Sequence, residues 1–334
     1  MPKQKIDNKK DKTYSVVSLF AGCGGLDLGF VGDFNSLNKK FDKRNFNVVW
    51  ANDIDKNACL TFEKNLKTPI VCGDITKILQ NAYPDLLSPK MPETADVVVG
   101  GFPCQSFSLA GLRKGFNDRR GVLYQSMVET VRRLKPAIFI AENVKGLLSV
   151  DNGEAIEIIK KDFAALDYDV DYRLFHVADF GVPENRERVI IIGTDNKRKL
   201  PKFNFPEATT AGKRMPLSEA IGDLEDIKEG GVENHFWSKA KFFAGTQGNS
   251  FVNKDKIGPT MRAEHHGNIE FHWNKKRRLS AREAARIQSF PDDFIFYPST
   301  SSAYKQIGNA VPPVFAWHIA KEVENYLNKN LQLN

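Results

Sequence analysis

Short apolar runs alternate with longer amphipathic stretches between Tyr14 and Thr194. The runs rich in β-branched residues are YSVVSLF, NVVWA, PIVCG, DVVVGG, AIFIAEN and RVIIIGT. Helical patterns lie between them near residues 25–32, 55–66, 120–135 and 152–166. Continuous Val and Ile runs of this kind are typical of strands that are covered on both faces. The pattern therefore predicts an α/β fold with a doubly wound, mostly parallel sheet, whose ligands bind beyond the carboxyl ends of the strands.

The alternation stops after Thr194, and residues 195–279 show no clear periodicity. This segment is rich in Gly, Pro, Asn, Lys and Arg, with 16 Lys and Arg against 11 Asp and Glu. Helical pattern returns at Ser280-Ala281-Arg282-Glu283, which has the form of a capping box, and again over 312–328. The predicted organisation is a flexible tail over 1–12, a main domain over 13–194, a smaller irregular domain over 195–279, and a C-terminal segment over 280–334. That last segment is expected to start in the small domain and to end against the main domain.

Composition and charge narrow the class of protein. The net charge of +7 favours a polyanionic partner. No apolar run approaches the roughly 18 residues that a membrane span needs, so we expect a soluble, cytoplasmic protein. The four cysteines, Cys23, Cys59, Cys72 and Cys104, form no C-x-x-C pair and have no histidines at metal-ligand spacing. This spacing predicts that the cysteines are reduced thiols and form neither a metal site nor a disulfide framework.

A glycine-rich loop, FAGCGG over 20–25, lies between the first predicted strand and the first predicted helix. Glycines there let the backbone turn tightly and approach a ligand closely. Asp27 stands where a dinucleotide-binding fingerprint needs its third glycine, which argues against an NAD-dependent oxidoreductase. The next strands end at Asp53, an acid placed to bind ribose hydroxyls, and at Asp74, which can accept a hydrogen bond from an exocyclic amine. This set favours S-adenosylmethionine; the alternative is a structural turn with acids that only cap strand ends.

A single thiol follows the strand DVVVGG in the stretch GGFPCQSFS. Cys104 would be the best side-chain nucleophile available there, although a lone cysteine is also a common small core residue. Glu142 ends the adjacent strand, where it can reach the ligand of Cys104 or simply cap the surface. Arg186 and Arg188 alternate onto one face before the apolar run VIIIGT, where they can bind a base edge or phosphate, or pair with nearby acids.

Six motifs occur in the order found in DNA (cytosine-5)-methyltransferases. They are FAGCGG, Pro103-Cys104-Gln105, Glu142-Asn143-Val144, Asn185-Arg186-Glu187-Arg188, REAARIQSFP over 282–291, and GNAVPP over 308–313. The chain resembles this family from residue 14 to about residue 325. The resemblance implies the fold of S-adenosylmethionine-dependent methyltransferases, with a smaller target-recognition domain over 195–279.

The resemblance also implies the chemistry of methyl transfer to cytosine. The Cys104 thiolate would add to carbon 6 of a cytosine flipped out of duplex DNA, because carbon 5 alone is a poor nucleophile. Glu142 would hold N3 and its proton, and Arg186 and Arg188 complete the catalytic set, with Arg188 contacting the cytosine edge and orienting Glu142. No residue is assigned as the base that removes the C5 proton.

Cofactor-binding positions follow from the same resemblance. They are Phe20, Ala21, Gly22, Gly24, Gly25, Asp53, Ile54, Asp74, Ile75, Pro103, Asn309 and Ala310. Asp53 would bind the ribose, Asp74 the adenine amine, and Asn309 the region of the methionine group. Ile54 departs from the family, since many members stack an aromatic residue on adenine there. The longer stretch over 33–46 has no assigned role.

DNA contacts are expected from two basic segments. Residues 109–121 combine glycine hinges with four basic residues and resemble the loop that closes over DNA, with Arg120 at a phosphate-binding position. The candidate contacts are Arg113, Lys114, Arg119, Arg120, Arg262, His265, His266, Lys275 and Arg277, with Asn268, Trp273, Lys276 and Arg278 as further candidates in the recognition domain.

The leading hypothesis is a monomeric enzyme that modifies a short duplex DNA site as the partner of a restriction endonuclease. The alternatives are a tRNA cytosine-5 methyltransferase of the same fold and a catalytically silent DNA-binding protein. The larger basic recognition segment favours DNA over tRNA, and the presence of both Cys104 and Glu142 argues against a silent protein.

Overall fold

The structure, a computed structural model, describes residues 12–80, 89–103, 122–210, 212–246, 248–263, 268–274 and 276–331. Within these ranges the strands are β1 (Tyr14–Leu19), β2 (Phe34–Ser36), β3 (Lys39–Phe41), β4 (Phe46–Asp53), β5 (Ile70–Cys72), β6 (Val97–Gly100), β7 (Ile138–Val144), β8 (Tyr168–His176) and β9 (Glu187–Asp195). The α-helices are α1 (Gly25–Val31), α2 (Lys56–Leu66), α3 (Ile75–Leu79), α4 (Val122–Leu134), α5 (Glu154–Ala164), α6 (Leu217–Ile221), α7 (Ala281–Ile287), α8 (Thr300–Asn309) and α9 (Pro313–Asn330). Short 3-10 helices cover Lys145–Gly153, Val177–Phe180, Asn196–Arg198 and Gly222–Leu224.

Seven of these strands form one sheet in the order β5-β4-β1-β6-β7-β9-β8. The first five run parallel, whereas β9 is antiparallel to both β7 and β8. This topology confirms the predicted mostly parallel α/β sheet. The carboxyl ends of β4, β1, β6 and β7 therefore meet at one edge, where ligands of such sheets bind.

Helices cover both faces of the sheet, as predicted for a doubly wound fold. Val16 and Ile140 point to the face that holds α1, α2 and α9. Their neighbours Val17 and Phe139 point to the opposite face, which holds α3, α4 and α5. Alternate residues of one strand are thus buried on both sides, which is why these strands read as continuous apolar runs.

Two parts of the sheet structure were not predicted. β8 is half-exposed, and its sequence YDVDYRLFH mixes charged and apolar positions because it forms one edge of the sheet. The hairpin of β2 and β3 lies in the stretch over 33–46 and pairs Phe34 with Phe41. Neither segment contains the Val and Ile run that marks a strand covered on both faces.

Regular structure is sparse in the described part of residues 195–279, where α6 is the longest helix. Isolated bridges link this segment to its surroundings, including Glu184 to Gly258 and Trp237 to Ser280. The predicted capping box is confirmed: the Ser280 hydroxyl accepts from the Glu283 amide, and the Glu283 carboxylate accepts from the Ser280 amide. Helix α8 was missed, and the domain boundaries stay a prediction. Among the helices of the described ranges, none is both long and apolar enough to cross a membrane.

Helix α9 packs against α1, directly behind the glycine-rich loop. Gly29 permits this contact, because a Cβ atom there would lie 2.3 Å from the Cβ of Ala316 and 2.7 Å from the backbone of Trp317. The chain after residue 312 is therefore fixed to the first helix of the sheet.

Gly29→Ala should destabilise the protein by about 1–3 kcal/mol, because the added methyl group overpacks the contact between α1 and α9. The midpoint of thermal unfolding should fall by several degrees. Gly222→Ala is the matched control, since its φ is −63° and a Cβ atom there would meet nothing within 4 Å. Equal melting midpoints for the two variants would contradict the packing described here.

Candidate active site

A tight loop follows β1 and leads into α1 at the carboxyl edge of the sheet. Phe20 and Gly22 have left-handed φ angles of 52° and 57°, a conformation that a bulky residue such as Phe rarely adopts. The Ala21 amide donates to the Asn52 carbonyl, and the Gly24 amide donates to the Ala21 carbonyl, both at 2.9 Å. A Cβ atom on Gly22 would meet nothing within 4 Å. The loop therefore leaves open space beside its backbone.

The carboxylate of Asp53 fixes this loop from the neighbouring strand. Its Oδ2 accepts from the Gly22 amide and its Oδ1 accepts from the Asp55 amide, both at 2.8 Å. Burial raises the pKa of this carboxyl, and the two amide donors oppose that rise. An ionised carboxylate can accept about four hydrogen bonds, so Asp53 keeps capacity for a ligand while it holds the loop.

The segment after α8 lies against the same loop. A Cβ atom on Gly25 would be 2.3 Å from the Val311 carbonyl oxygen and 3.3 Å from the Ala310 Cβ. Asn309, the last residue of α8, is exposed, and Ile54 leaves 71% of its surface exposed beside Asp53. Predicted cofactor residues from β4, the glycine-rich loop and the C-terminal segment are thus brought to one edge of the sheet.

Asp74 and Ile75, both predicted to bind the cofactor, also have structural roles. Asp74 caps α3, and its Oδ1 accepts from the Thr76 amide and hydroxyl at 2.9 and 2.8 Å. The Ile75 side chain is buried in the hydrophobic core. A ligand contact from Ile75 would have to come from its backbone.

Glu142 lies near the end of β7, next to the turn that follows β6. Its Oε1 is 2.6 Å from Nε of Arg188, and both side chains are buried. A Cβ atom on Gly101 would lie 3.0 Å from Glu142 Oε2, so glycine gives the carboxylate its room. Asn143 Nδ2 donates to the Phe102 carbonyl at 2.9 Å and fixes the turn. The carboxylate therefore faces the backbone that leads into Pro103.

The antiparallel direction of β9 explains how Arg188 reaches Glu142. In the ladder between β7 and β9, Arg188 stands opposite Val144 and Ile190 stands opposite Glu142. Arg188 is thus a diagonal neighbour of Glu142, at a separation that a long side chain spans. The two residues form an ion pair that closes this side of the site.

Arg186 precedes β9, and its guanidinium is buried and hydrogen-bonded within the protein. The side chain is 1% exposed and donates to the carbonyl oxygens of Met261 at 2.9 Å, Gly308 at 2.9 Å and Ala310 at 3.0 Å. The fully buried Glu184 is its ion-pair partner at 3.4 Å. Burial lowers the pKa of Arg186 to about 10, which leaves it charged at neutral pH. These contacts make Arg186 a positioning residue and correct the prediction that it acts in catalysis.

Two arginines of the basic run over 275–278 are also internal. Arg277 is buried and pairs with both carboxylate oxygens of Glu283, at 2.7 and 2.8 Å. Arg278 is 1% exposed and donates to four backbone carbonyls, those of Ala240, Lys241, Gly248 and Ile269. The predicted DNA contact of Arg277 is therefore wrong, because its guanidinium is committed to an internal ion pair. The guanidinium of the candidate Arg278 is likewise used internally, by backbone carbonyls.

The remaining predicted DNA contacts are exposed, bound internally, or outside the described ranges. Arg262 and Lys276 are exposed, whereas the Trp273 Nε1 donates to Glu225 at 2.9 Å and the half-buried Asn268 has internal interactions. Several predicted residues lie outside the described ranges, namely Cys104, Arg113, Lys114, Arg119, Arg120, His265, His266 and Lys275.

Sequence reasoning missed three residues that shape the site. Asn143 was quoted in a motif but was given no role, although it holds the turn after β6. Asn52 Nδ2 donates to the carbonyls of Val71 and Gly73 and so joins β4 to the end of β5. Glu184 neutralises Arg186. Each is a polar residue within one or two positions of a residue that was selected, which is the signal that could have identified it.

The site therefore combines a glycine-rich loop, a strand-end acid that holds the loop, and a carboxylate paired with an arginine. On a mostly parallel sheet these features define the class of α/β enzymes that bind a nucleotide-type ligand at the carboxyl edge. Comparisons with known proteins identify the family within that class.

The family described as C-5 cytosine-specific DNA methylase matches residues 14–253 and 241–325 of this chain. The Type II methyltransferase M.FnuDI of Fusobacterium nucleatum is 34% identical, with 93% of this chain and 94% of the relative covered. M.SsoII of Shigella sonnei is 35% identical, with coverage of 96% and 83%. The chain therefore belongs to the C-5 cytosine-specific DNA methylase family, and it is a DNA (cytosine-5) methyltransferase.

Solved structures agree on the fold. The S. pombe Dnmt2 methyltransferase matches with a TM-score of 0.67 at 16% identity, covering 95% of this chain and 99% of that one. The Entamoeba histolytica methyltransferase EhMeth matches with a TM-score of 0.64 at 18% identity, covering 96% and 99%. At these identities the comparison establishes the architecture alone.

Arg186→Met should lower the free energy of unfolding by about 3–5 kcal/mol, because it leaves the Glu184 carboxylate buried without its cation. Thermal and denaturant unfolding both measure this loss. Adding Glu184→Gln to Arg186→Met should recover part of it, since the uncompensated charge is removed.

Arg173→Met is the matched control for that experiment. Arg173 pairs with Glu207 at 3.0 Å on the surface, and removing such a pair costs at most about 1 kcal/mol. If Arg186→Met were no more destabilising than Arg173→Met, the structural role of Arg186 would be refuted.

Proposed function

We propose that the enzyme transfers the methyl group of S-adenosylmethionine to carbon 5 of one cytosine in a short duplex DNA sequence, as the modifying partner of a type II restriction system. The observation that carries the proposal is the buried Glu142–Arg188 pair beside Gly101. It places a fixed carboxylate at the turn that precedes the Pro103-Cys104-Gln105 motif. The relatives named Type II methyltransferases support the restriction-modification role.

The edge of the sheet fits S-adenosylmethionine. Asp53 offers a rigid carboxylate to ribose hydroxyls, and the exposed Ile54 offers an apolar surface to one face of adenine. The loop leaves open space beside Gly22, and the exposed Asn309 precedes Ala310, which lies against Gly25 of the same loop. S-adenosylmethionine, when bound, supplies a methyl group made electrophilic by its sulfonium. We assign Phe20, Asp53, Ile54, Asp74 and Asn309 to its binding.

Cys104 and Glu142 share the activation of the cytosine ring. Carbon 5 becomes nucleophilic only when the Cys104 thiolate adds to carbon 6 and breaks the aromatic conjugation. Glu142 holds N3 and its proton as negative charge develops on the ring, and Arg188 keeps the carboxylate in place. After methylation a base removes the C5 proton, and breaking the bond between sulfur and carbon 6 restores both the ring and the thiolate.

The target cytosine must leave the base stack before Cys104 can reach it. Extruding a base costs a few kcal/mol, which contacts to the DNA backbone have to offset. The exposed Arg262 follows Met261, whose carbonyl is bound by Arg186. We therefore assign Arg262 to the DNA-facing side of the site, at a fixed position relative to β9.

Cys104→Ser should abolish methyl transfer and retain binding of S-adenosylmethionine and DNA, because a serine hydroxyl is a far weaker nucleophile than a thiolate. Bisulfite sequencing of DNA from cells that express either protein measures the product and its sequence context. Wild-type protein should also form a covalent adduct with DNA carrying 5-fluorocytosine at that site, because fluorine cannot leave as a proton does. Methylation by Cys104→Ser at the wild-type level would overturn the nucleophile assignment.

Glu142→Gln keeps the size of the side chain and removes its charge, so single-turnover methyl transfer should slow by roughly 10²–10⁴-fold. Binding of cofactor and DNA should change little. Glu187→Gln is the control, because Glu187 is a more exposed acid nearby that pairs with Lys145 at 2.9 Å. Full turnover by Glu142→Gln, or an equal loss in Glu187→Gln, would reject this role.

A further inference from the structure

Two free cysteines lie on neighbouring elements at the edge to which we assign the cofactor. Cys72 ends β5 and is exposed, whereas Cys59 lies in the first turn of α2 and is 5% exposed. Neither has a role in the proposed chemistry.

One backbone oxygen brings the two cysteines together. Asp53 stands opposite Cys72 in the ladder between β4 and β5. Its carbonyl oxygen accepts from the Gly73 amide at 2.9 Å and from the Cys59 thiol at 3.6 Å. The Cys59 sulfur therefore lies against the carboxyl end of β5, where Cys72 is located.

The alternation of side chains along β5 points both thiols to the same face. Ile70 is buried in the same core cluster as Cys59 and Phe62 of α2. Cys72 follows Ile70 by two residues, so its side chain projects to that face. Burial raises the pKa of the Cys59 thiol, and the neighbouring Cys72 thiol adds to the rise. The pair thus consists of one accessible and one protected sulfur, placed on the same face beside one backbone carbonyl.

We propose that Cys59 and Cys72 are a modification site for peroxides, which close the pair to a disulfide and thereby weaken cofactor binding. The disulfide is inferred from the placement of the two cysteines beside Asp53, whereas its effect on S-adenosylmethionine rests on the proposed function. The oxidant is hydrogen peroxide or a small organic hydroperoxide, which can reach Cys72 because that residue is exposed.

The reaction balances in two steps. The Cys72 thiolate attacks one peroxide oxygen and the O–O bond breaks, giving a sulfenic acid and one water or alcohol. The Cys59 sulfur then attacks the Cys72 sulfur, loses its proton and displaces the hydroxyl group as water. Two thiols lose two electrons in total, and the peroxide takes them up. A reducing dithiol reverses the change by thiol–disulfide exchange.

The disulfide would disturb Asp53, the proposed ribose ligand, because it draws the two sulfur atoms to about 2.05 Å from each other. Cys59 then leaves its contact with the Asp53 carbonyl, and the end of β5 shifts towards α2. Asp53 and Ile54 lie between these two elements. Loss of one hydrogen bond to a charged group corresponds to about a tenfold weaker affinity.

The test uses the full chain with Cys104→Ser, which removes the proposed nucleophile from the oxidation chemistry. Protein treated with hydrogen peroxide is alkylated and digested, and mass spectrometry should find a peptide pair joined through Cys59 and Cys72, while the buried Cys23 stays alkylatable after unfolding. Calorimetric titration should show about tenfold weaker binding of S-adenosylmethionine after oxidation, and a dithiol reductant should restore it.

Adding Cys72→Ser or Cys59→Ala provides the matched controls. Each should bind S-adenosylmethionine as the parent does and should keep that affinity after peroxide. The inference is overturned if both thiols remain alkylatable, if the linked peptides form without a change in affinity, or if the controls lose affinity equally. If the reduced parent does not bind S-adenosylmethionine, the proposed cofactor fails, and the linked peptides still decide whether the modification site exists.

Discussion

The buried guanidinium of Arg186 is the contact on which the arrangement of the site depends. Its N–H groups donate to the carbonyl oxygen of Met261 in the irregular segment, and to those of Gly308 and Ala310 in the C-terminal segment. Its charge is offset by Glu184, whose Oε1 also accepts from the Met261 amide at 2.6 Å. Three distant parts of the chain therefore meet at one side chain, and none of the three can shift without leaving buried polar groups unpaired.

The direction of β9 connects this contact to the chemistry. Acids that follow parallel strands, such as Asp53 and Glu142, reach the carboxyl edge at the ends of their strands. β9 is antiparallel, so it reaches the same edge at its beginning, where Arg188 meets Glu142 and Arg186 lies two residues earlier. One short stretch thus fixes both the carboxylate of the site and the segment that carries Asn309. The arginines at the start of β9 therefore lie at the same edge of the sheet as the acids at the ends of β4 and β7.

The sequence predicts those parts of the fold in which burial leaves a pattern. Strands covered on both faces read as Val and Ile runs, so β1, β6, β7 and β9 were located correctly, and Asp53 and Glu142 were found at strand ends. β8 was missed because side chains of this edge strand are partly exposed to solvent, so its sequence lacks a continuous apolar run. Helix α8 was missed as well. Asp74 shows the limit for single residues, because capping α3 and binding a ligand require the same residue type. The roles of Arg186 and Arg277 could not be predicted, since a formal charge in the sequence does not show whether the side chain is buried.

The irregular segment gives a physical reason for these buried arginines. Where neither a helix nor a sheet ladder pairs the backbone, buried carbonyl groups still need donors. Arg278 donates to the carbonyls of residues 240, 241, 248 and 269. Arg282, in the helix that follows the irregular segment, donates to the carbonyl of Glu233 in that segment and to those of Pro291 and Phe294 beyond it. A guanidinium suits this task, because it offers five N–H donors in a rigid plane. Some basic residues of this segment therefore support its own backbone, and fewer exposed cations are left to contact DNA than the sequence suggests.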